Sequence, residues 1–382
     1  MADDTPSFQQ KILFGCPGTG KSHKVETEIL KKSLKIEENS DNVIKCVFHP
    51  EYTYGDFMGK LMPLTQGDKV TYRFYPGHFL RALAQAYNNL IHQEGDKPKH
   101  VALVIDEINR GNTAAIFGSV IQLLDREDTG YSSYHINLSD IEYIALTNAI
   151  WDEKKHFTEE KKNELVTAHG ATQTTKFLVA LTADERKERI EQQEDNPLWS
   201  KQTPDIVRAN LAKKRIILPP NFSIIGTMNT SDESIYYMDS AFKRRWDWEY
   251  VDLTTKGDET KDNETKDDES PVGNWKPGEG DAAPEWYAFV DKLNQFIKGQ
   301  AESIRRVEDK QIGYWFIKAK ENIITEDQIK NKLMFFLWDS VFQRDKSPFE
   351  KLLGIDKGSL VTFGDFTGKC DDFIEAINKY KK

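Results

Sequence analysis

Three cysteines in 382 residues, Cys16, Cys46 and Cys370, supply neither a disulfide framework nor a zinc-ligand spacing. No apolar run approaches the ~18 residues that a membrane-spanning helix needs. The opening MADDTPSFQQ is polar and acidic, unlike a secretory signal. These absences lead us to expect a cytoplasmic protein with no membrane segment. Positive charge is also in deficit: 52 Lys and Arg face 62 Asp and Glu, for a net charge of −10. A whole-chain positive field of the kind that draws nucleic acid is therefore excluded, and only a local basic face stays open. Much of the deficit is local, because 256–285 alone holds ten acidic and four basic side chains. No Asn-Lys-x-Asp loop of the kind that reads guanine stands in a matching context, and no nuclease motif is present.

What is present is an alternation of apolar runs and helical spacings. Lys11–Phe14 is a brief apolar run that stops at a glycine-rich turn, and His23–Lys35 then has helical apolar spacing. Val43–Phe48 reads as a second strand, Phe79–Ile91 as a helix, and Val101–Ile105 as a buried central strand. An amphipathic helix over Ala114–Leu124 and a buried strand over Phe222–Met228 follow. Strands alternating with helices predict an α/β domain with a parallel sheet and helices on both faces. An insertion over about 131–215, with a charged helical piece at 183–196, is too long for a plain loop. The run DETKDNETKDDES within 256–284 cannot bury a core and reads as an acidic flexible linker. Beyond it, Trp286–Ile297 and Ile329–Phe342 have helical spacing and Ile312–Ala319 reads as a short strand. The expected domains are thus 1–255, the linker, and a small, mostly helical 285–382.

Four stretches carry chemistry. Gly15-Cys16-Pro17-Gly18-Thr19-Gly20-Lys21-Ser22 fits the P-loop pattern between an apolar strand and an amphipathic helix. Its backbone N–H groups, with the following helix N-terminus, suit phosphate oxygens. Lys21 would reach the β- and γ-phosphates and the Ser22 hydroxyl would ligate Mg²⁺. The alternative, a glycine-rich turn that caps a helix, lacks a reason for Lys21 and Ser22. The buried strand ending in Asp106-Glu107 places Asp106 to hold Mg²⁺ and Glu107 to orient and deprotonate water. The strand ending in Asn229-Thr230-Ser231-Asp232 offers Asn229 to the γ-phosphate or the water. Asp232 is equally a helix N-cap. Finally, Arg244 and Arg245 close a helix expected to begin near Ser234. Either one is a candidate arginine finger for a neighbouring subunit, and helix-dipole stabilisation is the plainer role. His49 and His78 read as structural, and the aromatics around Trp246 as packing rather than base stacking.

With these elements in order the chain resembles the AAA+ family, and within it the McrB-type motor subunit of modification-dependent (type IV) restriction systems. The carriers are Asp106-Glu107-Ile108-Asn109-Arg110-Gly111-Asn112, Met228-Asn229-Thr230-Ser231-Asp232 and Ala241-Phe242-Lys243-Arg244-Arg245. Phe48–Phe57, Pro76–Phe79 and the lid-like segment Lys310–Phe316 add to them. The resemblance implies a homo-oligomeric, hexameric ring with GTP or ATP and Mg²⁺ between subunits. It favours GTP and implies a separate McrC-like nuclease subunit acting on DNA through the complex. It also implies that Asn229 is sensor 1, that Asp232 belongs to the same signature, and that Arg244 or Arg245 faces the neighbour's site. Such subunits often carry an N-terminal DNA-recognition domain; here the chain starts at the P-loop strand, so base reading is expected elsewhere. The alternative is a dynein-related or MoxR-like ATPase that remodels protein complexes. A non-enzymatic, nucleotide-gated assembly module is the third reading, and Glu107 argues against it.

Overall fold

The structure is a computed structural model that describes residues 8–37, 40–66, 69–93, 97–150, 203–230, 236–253, 286–317 and 324–381. Asp232, the charged piece at 183–196 and the acidic run at 256–284 lie outside the described residues. The described strands are β1 (Gln10–Gly15), β2 (Val43–Val47), β3 (Gly59–Gln66), β4 (Lys69–Pro76), β5 (Val101–Asp106), β6 (Ile136–Asn137), β7 (Arg215–Ile216), β8 (Phe222–Asn229) and β9 (Asp247–Tyr250). Five of them form one sheet in the order β2-β5-β8-β1-β9. β5 lies parallel to β2 from Val43↔Ala102 to Val47↔Asp106, and parallel to β8 from Val101↔Phe222 to Ile105↔Gly226.

Burial explains the pattern. All five residues of Val101–Ile105 are buried, as are Phe222–Ile225, because both strands have neighbours on each side. The helix His78–Ile91 packs against β2 and β5 and buries Phe79, Leu80, Leu83, Tyr87 and Ile91. The helix expected from His23 forms as Lys21–Lys24 and continues in wider, π-type turns over Val25–Ser33. The single helix expected over Ala114–Leu124 is broken: an α-helix over Thr113–Phe117 passes into 3-10 turns over Gly118–Leu124. Gly118 adopts φ +48, a left-handed value that glycine tolerates best. Within the inserted region, the helices Asp140–Ile150 and Asp205–Ala212 and the antiparallel pair β6–β7 form the described stem. β3 and β4 form a two-stranded antiparallel hairpin outside the main sheet, with Leu61, Val70 and Tyr72 exposed. Nothing in our reading of the sequence anticipated it.

The chain divides into two compact units. The first comprises Met1–Leu13, Ser22–Met228 and Ser234–Glu249, the second Phe14–Lys21, Asn229–Glu233 and Tyr250–Lys382. Each has its own apolar core. The first is centred on Phe48, Phe57, Phe79, Phe117 and Phe242, the second on Phe289, Phe296, Phe349, Phe366 and Phe373. In the second unit the helices Trp286–Gly299, Ser347–Leu353, Phe363–Thr367 and Cys370–Lys379 carry that core. Of the strand expected over Ile312–Ala319, the described part, 312–317, does not form: it is irregular backbone whose partners lie elsewhere, as described below. The three cysteines are free and buried. Among the described residues no helix is long and apolar enough to cross a membrane.

One buried polar contact ties the first unit's helix layer to the chain entering β8. The Tyr87 hydroxyl donates to the Ile217 carbonyl at 2.7 Å and accepts from the Ile217 N–H at 3.0 Å. Removing that hydroxyl orphans two buried backbone groups. Tyr87→Phe is expected to destabilise the fold by about 1–3 kcal/mol. Chemical denaturation of the two proteins measures the difference.

Candidate functional site

The phosphate loop grows out of β1. Gly15, Gly18 and Gly20 have φ +154, +79 and +81, values that side-chain-bearing residues resist. The loop is threaded on its own lysine. The Lys21 ammonium, buried to 8% exposure, donates to the carbonyls of Gly15 (3.1 Å) and Cys16 (2.8 Å). The Thr19 hydroxyl also donates to the Cys16 carbonyl at 3.1 Å. Lys21 opens the first helical turn, so its neighbours' N–H groups stand at a helix N-terminus. Burial pushes the Cys16 thiol up to about 11 against the opposing pull of Lys21, so it stays a neutral packing group at neutral pH.

A second segment clasps this loop. The Gly313 N–H donates to the Pro17 carbonyl at 2.9 Å and the Trp315 N–H to the Gly18 carbonyl at 2.8 Å. The approach is backbone to backbone: a Cβ on Gly313 would overlap the Gly18 carbonyl, and one on Gly18 would overlap the Phe316 backbone. The Thr230 N–H reaches the Gly15 carbonyl at 3.3 Å, so the end of the chain leaving β8 is tied to the same loop.

In the first unit, Asp106 ends β5 and Glu107 follows it. The Thr227 hydroxyl donates to Asp106 Oδ1 at 2.8 Å, which fixes the carboxylate from the adjacent strand. Glu107 has φ +53 and ψ +44, a left-handed conformation that costs a non-glycine residue roughly 1–2 kcal/mol. Its carboxylate lies 3.5 Å from the Arg110 Nε. The rest of this stretch is scaffold. Asn109 is buried and its carbonyl accepts from the Tyr236 N–H. Gly111 leaves room for Ile116 and Phe48. Asn112 accepts from the Ala115 N–H and caps the next helix.

The two arginines part company. Arg245 is 11% exposed and directs Nε (3.1 Å) and Nη2 (2.7 Å) at Asp125 Oδ2, with Nη1 on the Ala241 carbonyl. Arg244 is 63% exposed and stands 3.7 Å from the same carboxylate. Their helix runs only over Ser240–Lys243, capped by Asp239 accepting from the Phe242 N–H; residues 236–239 are not helical, so the expected start near Ser234 is not met. Trp246 is buried against Phe117 and Phe242, which makes it a packing residue. His78 Nδ1 sits 2.9 Å from the Tyr52 hydroxyl, with burial lowering its pKa, and His49 packs edge-on to Tyr52. Both fit the structural role expected of them.

A P-loop, an acidic strand end with its supporting threonine, and a polar third strand tip are the marks of one fold family. The chain belongs to the AAA domain family, dynein-related subfamily, whose model matches residues 10–246. Among curated proteins, this AAA chain is similar to the Bacillus subtilis (strain 168) protein named Type II restriction enzyme BsuMI component YdiS. The two are 27% identical over 391 residues, covering 95% of this chain and 86% of that protein. It is also similar to the Escherichia coli (strain K12) Type IV methyl-directed restriction enzyme EcoKMcrB subunit, at 25% identity over 242 residues. That match covers 63% of this chain and 34% of the relative. The resemblance to McrB-type AAA+ subunits that the motifs carried is thus supported by the matching family model and by both restriction-system relatives.

Among the described residues of this AAA domain, no cluster of three or more His, Cys, Asp or Glu could hold a metal on protein ligands alone. Mg²⁺ does not require one: it takes one or two carboxylates, a hydroxyl, water and phosphate oxygens. Asp106, oriented by Thr227, and the Ser22 hydroxyl are oxygen donors of those kinds. Two contributors escaped the sequence reading. Thr227 was a usable signal, since it lies two residues before Asn229 on the same face of β8. The Gly313 clasp was visible only as a motif without a role. Because Arg245 is locked and Arg244 is not, Arg245→Ala is expected to lower stability by about 1–3 kcal/mol. Arg244→Ala should stay within about 0.5 kcal/mol of wild type. Thermal melting compares them.

Proposed function

We propose that this chain is the nucleotide-hydrolysing motor subunit of an McrBC-like anti-phage DNA restriction complex, using GTP in preference to ATP. It drives DNA translocation for a separate nuclease subunit and works as a hexameric ring. The observation that carries the reading is the alignment of nearly the whole chain with a restriction-enzyme component, joined to the signature Asp106–Asn112 in the left-handed turn at Glu107.

In this mechanism Gly15, Pro17, Gly18, Thr19 and Gly20 wrap the phosphates with backbone N–H groups. Lys21 turns its ammonium from the loop carbonyls to the β- and γ-phosphates. Ser22 and Asp106 hold Mg²⁺, which when bound neutralises phosphate charge. Glu107 leaves Arg110, orients the attacking water and takes its proton. Asn229 donates to the γ-phosphate or the water, and Asp232 belongs to the same signature. Of the two arginines, Arg244 is the finger presented to a neighbouring subunit. Its guanidinium is exposed, whereas Arg245 spends its donors on Asp125 and Ala241 and positions the turn. The domain arrangement that goes with this reading is 1–255 as the nucleotide-binding part, 256–284 as a linker and 285–382 as the lid. A second reading, an ATPase that remodels protein complexes, is favoured by the dynein-related description of the matching family.

Phosphate release by the purified protein with GTP and ATP, with and without an McrC-like nuclease subunit, tests the proposal. A clear preference for GTP, together with stimulation by that subunit, is expected. Preference for ATP with indifference to the subunit would favour the remodelling reading instead.

A further inference from the structure

Trp315 is a large side chain with 37% exposure on an otherwise immobilised segment. Two residues just before it, Ile312 and Tyr314, are fixed from the helix Trp286–Gly299. Asn294, itself buried, donates to the Ile312 carbonyl (2.8 Å) and accepts from the Ile312 N–H (3.0 Å). The Trp286 indole donates to the Tyr314 carbonyl at 2.6 Å, and the Tyr314 hydroxyl donates to Asp291 at 2.7 Å. On the other side, Gly313 and Trp315 bond the phosphate loop through Pro17 and Gly18. The indole of Trp315 then lies along Gly20, where a Cβ would meet its Cδ1 and Nε1 at 3.4 Å. An aromatic plane is thereby held at the lip of the loop, next to the residue that precedes Lys21.

A rigid aromatic whose backbone is already ordered adds contact area at little entropic cost. On the nucleotide-binding reading, the phosphates of a bound triphosphate sit in the loop that this indole borders. We propose that Trp315 is a nucleoside-contacting residue that stacks on the base of the bound triphosphate. It thereby adds affinity without choosing between purines, since every base offers a π-face. This rests on the nucleotide-binding reading above and adds to it the residue that meets the nucleoside. Guanine preference must then arise elsewhere.

The test measures binding of non-hydrolysable GTP and ATP analogues, with Mg²⁺, to the full chain as wild type, Lys21→Ala, Trp315→Ala and Trp315→Phe. Trp315→Ala should weaken both analogues alike, by roughly five- to a hundredfold. Trp315→Phe should stay within a few-fold, and the tryptophan fluorescence change seen on binding to wild type should be lost in it. Wild-type affinity in Trp315→Ala, with binding abolished in Lys21→Ala, overturns the stacking role and leaves the nucleotide reading intact. Weakening of one analogue only also overturns it, by making Trp315 a base-selective residue. Failure of wild type to bind either analogue overturns the nucleotide reading and this inference with it. Should Trp315→Ala melt early, affinity and fluorescence in Trp315→Phe decide.

Discussion

Among the described residues, the closest approach of two backbones is that at Gly18 and Gly313. Neither position has room for a Cβ, and the pair is flanked by two N–H to carbonyl bonds. A phosphate loop is a run of glycines in left-handed conformations, and such a run is entropically costly to hold in one shape. Here the shape is imposed from outside by a segment whose own backbone is pinned by Asn294 and Trp286. The loop is therefore preorganised before any ligand arrives, and its Lys21 is parked on loop carbonyls that a phosphate oxygen can replace as partner. Binding has less ordering to do, which is the general benefit of preorganisation.

The second concentration of constraint is Glu107. A left-handed glutamate that pairs with Arg110 three residues on is an arrangement that folding alone would not favour. Strain of that kind persists where surrounding packing over-determines it, and Ile108, Asn109 and Ile116 supply that packing, all fully buried. Glu107 leaves β5 in this conformation and lies beside Arg110, while Asp106 stays on the strand and is held by Thr227. Two adjacent acids thus receive different environments from one turn, which suits one to a cation and the other to water.

Much of this was legible in the sequence because it rests on local rules. Buried parallel strands read as unbroken apolar runs, so β5 and β8 were plain at Val101–Ile105 and Phe222–Met228. The P-loop announces itself through glycine spacing. Elements that depend on tertiary partners were hidden. The hairpin β3–β4 carries Pro63 within a strand, which a sequence rule demotes, and its pairing is set by full register with β4 rather than by alternation. The stretch 311–317 looks β-like by composition. Its backbone groups are instead taken by Asn294, Pro17 and Gly18, so no strand partner is needed. The helix after Phe117 breaks at Gly118, whose φ of +48 leaves the helical region and whose bare Cα sits against Tyr54. The roles of Arg244 and Arg245 are alike in sequence and separate only when Asp125 is seen to claim one of them.

On the proposed reading, a triphosphate held by the Lys21 loop is split by water that Glu107 activates. Its most direct test is Glu107→Gln in the full chain, followed by nucleotide binding and phosphate release side by side with wild type. The variant is expected to bind nucleotide as well as wild type or better, retain it through gel filtration, and release phosphate at least about a hundredfold more slowly. Turnover at the wild-type rate would contradict it and remove Glu107 from the chemistry.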